Sequence, residues 1–226
     1  MSGGITQLVA IGAQDAHLVG DPQVSFFRSI YKRHTNFSHV VDRQIIQGNP
    51  SPGGISTVRL ERKGDMVSYI YLTQKDSEGV IEDFNQSNVI DRVEFLIGGQ
   101  VIDTQTNDFI RNIADPYLVT STTKTVNTNT RMYPLHFWFN ENWQSALPLV
   151  ALQYHDVELR VTWASNLPTG KRFECWCDFI YLDTDEREQF ASTPQEHLIY
   201  QVQKATAPEE GTLNFELNFN HPIKFL

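Results

Sequence analysis

The chain has 226 residues, 40% of them hydrophobic and 20% charged, and it carries a formal net charge of −9. A chain of this size buries enough surface to fold without disulfides or bound metals, and its overall acidity disfavours a general nucleic-acid-binding surface. No apolar run of about eighteen residues occurs in it, so the sequence predicts no membrane-spanning helix. The aromatic content of 12% favours β structure.

The N-terminal region differs from the rest of the chain in pattern and charge. The first 25 residues mix glycine, glutamine, aspartate and scattered aliphatic residues without a clear period, which predicts an extended arm. Asp21 and Pro22 match the cap and first position of a helix that would run to Tyr31. Residues 1–45 carry a net charge of +1 and the remainder carries −10.

The segment from Phe26 to Phe37 combines aromatic and basic side chains and contains no acid. Such a segment can neither bury all its charge nor expose all its rings without cost. We therefore predict an amphipathic anchor, with the rings packed into a core and the cations turned toward a partner.

Beyond residue 64 the chain consists mainly of short runs in which apolar and polar residues alternate, which is typical of half-buried strands. The predicted strands are 65–72, 92–97, 100–102, 156–163, 173–182, 197–203 and 212–219. Gly98 and Gly99 predict a tight hairpin turn. Short helices are predicted over 106–117 and 185–191, and a long exposed loop over 121–130.

Many antiparallel strands, few short helices, long loops and no internal repeat predict an all-β sandwich. Periodicity alone does not separate a jelly roll from an immunoglobulin-like sandwich. Cys175 and Cys177 lie two apart in a predicted strand, so both face the same side and cannot form an unstrained disulfide with each other. We expect them to be reduced core thiols.

No pattern in the sequence indicates catalysis or metal binding. The seven histidines are dispersed, and no two form the close His-x-His pair of cupin-type metal sites. The Gly-x-Ser-x-Gly nucleophile motif is not present, and carboxylates such as Asp183 and Asp185 are expected to cap a loop and a helix. The sequence therefore predicts that the protein is not an enzyme and uses no cofactor or metal.

Two further features have alternative interpretations. The aromatic stretch Tyr133–Phe139, with Trp143 close behind, is typical of a core plug or a subunit contact, but it also suits sugar stacking. Asn36 and Asn85 each begin a glycosylation sequon, Asn-x-Ser.

Three blocks of the sequence resemble one family, in the same order along the chain. They are Phe26–Phe37, preceded by Gly12-Ala13-Gln14-Asp15; Ala146–Val157; and Tyr181–Arg187. These blocks resemble the major capsid protein of the nucleocytoplasmic large DNA viruses, and the resemblance covers most of residues 3–225. It favours the jelly roll over the immunoglobulin-like sandwich.

The resemblance implies a structural virion protein that self-assembles. Members of the family contain two consecutive jelly rolls, and three copies form a pseudo-hexagonal capsomer of an icosahedral shell. The implied partners are the chain itself as a homotrimer, neighbouring capsomers, minor capsid and penton proteins, and the membrane beneath the shell, with no direct contact to nucleic acid. The implied location is the virion, after assembly in the host cytoplasm.

On this resemblance the chain divides into an extended arm (1–25), a first jelly roll (26–217) and the truncated start of a second one (218–226). The segment after the arm is expected near the base of the barrels. Its composition and the resemblance together predict an assembly interface formed by Arg28, Tyr31, Lys32, Arg33 and His34. The alternative function is a single jelly-roll module, either a minor capsid protein or a carbohydrate binder that uses Tyr133, Trp138 and Trp143.

Overall fold

The structure, a computed structural model, describes residues 3–82, 89–118, 131–206, 216–224 and 226. It separates into two compact units, Met1–Thr35 and Asn36–Leu226. The predicted loop over 121–130, and residues 212–215 of the last predicted strand, lie outside the described residues. No helix in the described stretches is long and apolar enough to cross a membrane.

The first unit contains two seven-residue helices, α1 (Gly3–Val9) and α2 (Ala13–Val19). The extended conformation predicted for the arm is therefore wrong over these stretches, whereas its boundary at residue 25 stays a prediction. A local hydrogen bond accounts for the start of α2, because the Gly12 backbone N–H donates to the Asp15 carboxylate over 3.1 Å.

The helix predicted from Pro22 to Tyr31, with Asp21 as its cap, is also wrong. Asp21 has a φ of +56°, whereas a residue that caps a helix takes an extended conformation. A turn forms further along instead, where the Phe27 N–H donates to the Ser25 hydroxyl over 3.3 Å. No helix or strand lies between residues 21 and 36.

The second unit is built from β-strands, as predicted. Its described residues form β1 (Phe37–Gln44), β2 (Ile46–Gln47), β3 (Ile55–Arg59), β4 (Met66–Lys75), β5 (Ile81–Glu82), β6 (Ile90–Ile97), β7 (Gln100–Thr106), β8 (Tyr133–Pro134), β9 (Leu147–Pro148), β10 (Val157–Trp163) and β11 (Arg172–Leu182).

The strands form two antiparallel sheets. The six-stranded sheet has the order β1-β11-β4-β5, and β8 and β9 also pair with β4. The five-stranded sheet has the order β2-β3-β10-β6-β7. The pairing is nested: β1 pairs with β11, β3 with β10, β4 with β8 and β9, and β6 with β7, alternating between the sheets. A long hairpin rolled up in this way is a jelly roll, which confirms the predicted fold class.

Alternation along the strands places the core between the two sheets. Val157, Leu159, Val161 and Trp163 of β10 are all buried, while Glu158 and Arg160 between them turn outward. The indole N–H of Trp163 donates to the Ser56 hydroxyl over 2.8 Å, which satisfies its one polar group inside the core.

The turn between β6 and β7 confirms the predicted hairpin. Gly98 and Gly99 have φ values of 59° and 80°, which residues other than glycine rarely adopt. A Cβ atom on Gly98 would also lie 2.8 Å from His155 Nδ1, so a larger residue here would require the His155 side chain to shift.

The predicted helices form with small changes. The first begins as α3 (Asn107–Phe109), capped by the Thr106 hydroxyl, and continues as a π-helix from Ile110 to Leu118. The second is α4 (Thr184–Ser192), one residue longer at each end than predicted.

The strand predicted over residues 197–203 is wrong. This segment is held to β7 by side chains rather than by a backbone ladder: the Val202 N–H donates to the Asp103 carboxylate over 2.9 Å, and the Gln201 amide donates to the Ile102 carbonyl. Burial raises the pKa of Asp103, although three hydrogen bonds oppose the shift. Residues 216–219, the described end of the last predicted strand, are not in a strand either.

Candidate assembly surface

The aromatic and basic segment that precedes β1 is exposed throughout. Phe26, Phe27 and Tyr31 are 98%, 101% and 92% exposed. The prediction that these rings pack into a core is therefore wrong. The physical reason is the backbone: without a helix or strand between residues 21 and 36, no face exists on which the rings could be separated from the cations.

The predicted assembly residues share this segment, and the structure leaves all of them exposed: Arg28, Tyr31, Lys32, Arg33 and His34. Their role in assembly stays a prediction. Asn36, of the first sequon, is exposed next to β1, whereas Asn85, of the second, lies outside the described residues. Glycosylation of either residue is likewise still a prediction.

The aromatic stretch Tyr133–Phe139 belongs mainly to the core. Tyr133 and Trp138 are only 1% and 3% exposed, and Phe137 and Phe139 pack against Phe95 at ring distances of 5.1 and 5.0 Å. Two of the three rings suggested for sugar stacking are thus inaccessible. The interpretation as a core plug is confirmed for them, and Trp143 alone of the three is exposed.

The two cysteines behave as the alternation of β11 predicts. Cys175 and Cys177 are both free and buried, on the face of the strand that turns toward the core. Burial raises the pKa of the Cys177 thiol well above its ordinary value, so the reactive thiolate is strongly disfavoured.

The block Tyr181–Arg187 ties α4 to the sheet. The Asp183 carboxylate accepts a hydrogen bond from the Thr184 N–H over 2.8 Å, which confirms the predicted capping role. Arg187 Nε lies 2.8 Å from Asp65 Oδ1, and the Leu182 N–H donates to the other Asp65 oxygen. No sequence pattern marks Asp65, because its partners lie more than a hundred residues away in the chain.

The block Ala146–Val157 is held in place by a comparable contact from an arginine outside the block. Arg62 donates from its two terminal nitrogens to the carbonyls of Leu152, Gln153 and His155, which lie on the turn before β10. Both blocks therefore hold parts of the fold together.

The described residues include no group of three or more His, Cys, Asp or Glu side chains that could hold a metal ion.

A jelly roll in which two of the three sequence blocks serve packing, and in which the third exposes the rings of Phe26, Phe27 and Tyr31, is typical of a structural protein. Residues 25–183 match the family described as major capsid protein N-terminus. The chain belongs to this family. The match confirms the family and the structural, non-enzymatic class that the sequence predicted.

Similar sequences and a similar solved structure agree with this family assignment. The chain is 37% identical to a major capsid protein of Paramecium bursaria Chlorella virus 1, over 100% of this chain and 60% of the relative. It is also 37% identical to a major capsid protein of Pyramimonas orientalis virus, over 100% of this chain and 64% of that relative. A quasi-atomic structure of the PBCV-1 virus capsid matches with a TM-score of 0.67 and 30% identity, over 88% of this chain and 57% of that one. The chain thus spans about 60% of the length of these relatives.

Proposed function

We propose that the chain is the first of two jelly rolls in a capsid protein, and that three copies of the complete protein form a pseudo-hexagonal capsomer of an icosahedral shell. The family match and the rolled-hairpin topology support this proposal. The relatives named as major capsid proteins are longer than this chain, which leaves room for a second barrel.

The observation that carries the proposal is the exposure of rings next to cations in the segment from Phe26 to His34. Burying a ring of this size against a partner contributes roughly 2 kcal/mol, and Phe26, Phe27 and Tyr31 are almost fully accessible. An isolated domain gains no stability from three such rings in water. A domain that assembles gains free energy when it buries them against a partner.

Charge supports a second copy as the first partner of this segment. Residues 1–45 carry +1 and residues 46–226 carry −10, so the basic segment of one copy is attracted to the acidic body of another. Contacts with neighbouring capsomers, minor capsid and penton proteins and an underlying membrane would use the same exposed side chains. The site of action is the virion, after assembly in the host cytoplasm.

Reversing the charge of Lys32 and Arg33 in the complete protein tests the proposal. The double variant Lys32→Glu, Arg33→Glu should fold normally, because both side chains are exposed, and should fail to form shells. Circular dichroism would follow the fold, and electron microscopy and sedimentation would follow assembly.

The matched control is Lys32→Arg with Arg33→Lys, which keeps both charges and should assemble like the parent protein. Shells of normal yield from the charge-reversed variant would contradict the role of these residues. Failure of the charge-conserving control would show that side-chain shape matters instead of charge.

A further inference from the structure

Two segments near the C-terminus, neither of them a helix or a strand, lie side by side on the jelly roll. The Asn220 N–H donates to Gln203 Oε1 over 3.0 Å, and Lys224 Nζ lies 3.8 Å from the centre of the Tyr200 ring. Lys224 Nζ also lies 3.8 Å from Glu141 Oε1. The contacts run in opposite directions along the two segments, which are therefore antiparallel neighbours.

The first of these segments is fixed to the barrel. The Val202 N–H donates to Asp103 Oδ1 over 2.9 Å, and Asp103 is only 3% exposed. The Gln201 amide donates to the carbonyl of Ile102, also on β7. The side chains of this segment are therefore presented in fixed positions, and a surface that is already ordered loses little conformational entropy when a partner binds to it.

Both segments expose large apolar side chains. Leu198 of the first segment is 76% exposed, and Ile223 of the second is 54% exposed. We define the C-terminal patch by the six exposed apolar and aromatic residues of the two segments: Leu198, Ile199, Tyr200, Leu217, Ile223 and Leu226. Such a concentration of apolar side chains on one ordered surface is typical of an interaction site.

A cavity of about 340 Å³ opens beside the C-terminal patch. Leu198 and Tyr200 of the patch line it together with Met66 and Phe190, and polar side chains such as Gln144 complete the lining. The cavity has room for a large side chain from a partner. Anchors that fill a pocket in this way carry most of the binding energy of protein interfaces.

The course of the chain indicates what covers the patch. Leu217, Ile223 and Leu226 belong both to the patch and to the segment that leads out of the jelly roll. In the proposed two-barrel protein, the residues that follow therefore begin on the patch itself. A domain tethered so closely is present at an effective concentration of about 1 mM, which favours it over any separate molecule in dilute solution.

We propose that the C-terminal patch is the surface on which the second jelly roll docks, and that a side chain of that jelly roll fills the cavity. The inference rests on the proposed function, which supplies the second jelly roll, and it adds the surface where the two barrels of one chain meet. Lys224 is a positioning residue, because its contacts with Tyr200 and Glu141 fix the direction in which the chain enters the second barrel.

Thiol accessibility in the complete protein tests the docking. Leu198→Cys places a thiol on the patch, and the matched control Ile55→Cys places one on β3, at a position where the parent residue is also exposed. The chain's own two thiols are buried. Both new thiols should react rapidly with a maleimide in the 226-residue chain. In the complete protein, Leu198→Cys should react at least about tenfold more slowly, and Ile55→Cys at an unchanged rate.

A photo-crosslinker identifies the molecule that covers the patch. Gln195 is exposed and lines the cavity, so a benzophenone maleimide on Gln195→Cys reaches whatever docks there. In the complete protein it should crosslink to the second jelly roll of the same chain, giving a product with the mass of one chain. A product with the mass of two chains would overturn the proposal.

Charge reversal of Lys224 tests its positioning role. In the Leu198→Cys background, Lys224→Glu places a carboxylate beside Glu141 and should restore fast labelling of the patch in the complete protein. Lys224→Arg keeps the cation and should keep the protection. The control is Lys204→Glu, because Lys204 is another exposed lysine that faces a carboxylate, 3.5 Å from Asp108, outside the patch. Protection that survives Lys224→Glu would contradict this role.

Failure of the docking and failure of the proposed function give different results. A complete protein that assembles into shells but leaves Leu198→Cys as reactive as in the 226-residue chain overturns the docking and leaves the proposed function standing. A complete protein without a second jelly roll overturns both. Slow labelling of Leu198→Cys together with a crosslink inside one chain supports the docking, whether or not shells form.

Discussion

At the scale of single residues, arginines clamp segments that are distant in sequence. Arg62 reaches across to the turn before β10, and Arg187 reaches back to Asp65 before β4. The planar guanidinium can donate several hydrogen bonds in fixed directions, which suits both sites. Neither pairing follows from sequence patterns, because 91 and 122 residues separate the partners.

Removing the Arg62 clamp should destabilise the fold. The variant Arg62→Ala loses charge-assisted hydrogen bonds to three carbonyls, and we expect a loss of about 1–2 kcal/mol in the free energy of unfolding. Urea denaturation followed by tryptophan fluorescence measures it. The control is Arg172→Ala, at an exposed position at the start of β11, which should change stability by less than about 0.5 kcal/mol. Equal effects of the two variants would contradict the clamp.

At the scale of elements, alternation predicted the central strands well. β10 and β11 alternate cleanly because one face of each packs into the core, and that pattern also identified Cys175 and Cys177 as core thiols. It failed for residues 197–203, where apolar residues alternate but Asp103 provides a side-chain partner instead of a neighbouring strand. The rings of the N-terminal segment were mispredicted because no helix or strand forms between residues 21 and 36, so no face exists on which they could be buried.

The residues of the proposed assembly segment stand out by their composition, and their role in assembly stays a prediction. Arg28, Tyr31 and Lys32 were singled out because basic and aromatic residues concentrate there without acids. The pairing of Tyr71 with Trp176 was missed, since the two residues lie in different strands and only the register brings them side by side. A sequence pattern within either strand shows an outward aromatic residue and nothing of its neighbour.

Glu174 links three strands, and this link should depend on pH. Burial alone would raise the pKa of Glu174, but hydrogen bonds from Lys75 on β4 and Arg43 on β1 outweigh burial and lower it below its ordinary value of 4.5. A lowered folded pKa contributes stability that is present above about pH 4.5 and is lost as the pH falls through the folded value.

The variant Glu174→Gln should therefore lose about 1 kcal/mol at pH 7 and show a shallower loss of stability below about pH 4.5 than the parent. Thermal unfolding at a series of pH values measures both effects. Glu158→Gln, at an outward position of β10, is the control. A parent-like pH profile for Glu174→Gln would show that the three-strand link contributes nothing.

At the scale of the whole molecule, the nested pairing of strands decides the fold. Periodicity left the jelly roll and the immunoglobulin-like sandwich equally open, because both alternate in the same way along each strand. The resemblance carried by three blocks of sequence chose correctly between them. The pairing of β1 with β11 and of β3 with β10 supplies the physical distinction.

The buried thiols allow the opening of the whole fold to be measured. Cys175 and Cys177 have no exposed surface, so a thiol reagent at pH 8 should label both only when the jelly roll opens, and both at the same rate. Low urea concentrations should accelerate labelling in step with the loss of stability. Fast labelling of either thiol in native buffer would mean that β11 opens independently of the rest.

The position of β11 also delays the pairing of β1 while the protein is being synthesised. β11 lies between β1 and β4 in the six-stranded sheet, and the paired side chains of His39 and Asp178 are 139 residues apart. At ~5–20 residues per second, β1 leaves the ribosome roughly 7–28 s before its partner exists. During that interval Val40 and Val41 lie on a strand with two open edges, which is the state most prone to pairing with the wrong chain. The sheet closes only when its last strand enters between two that were made long before.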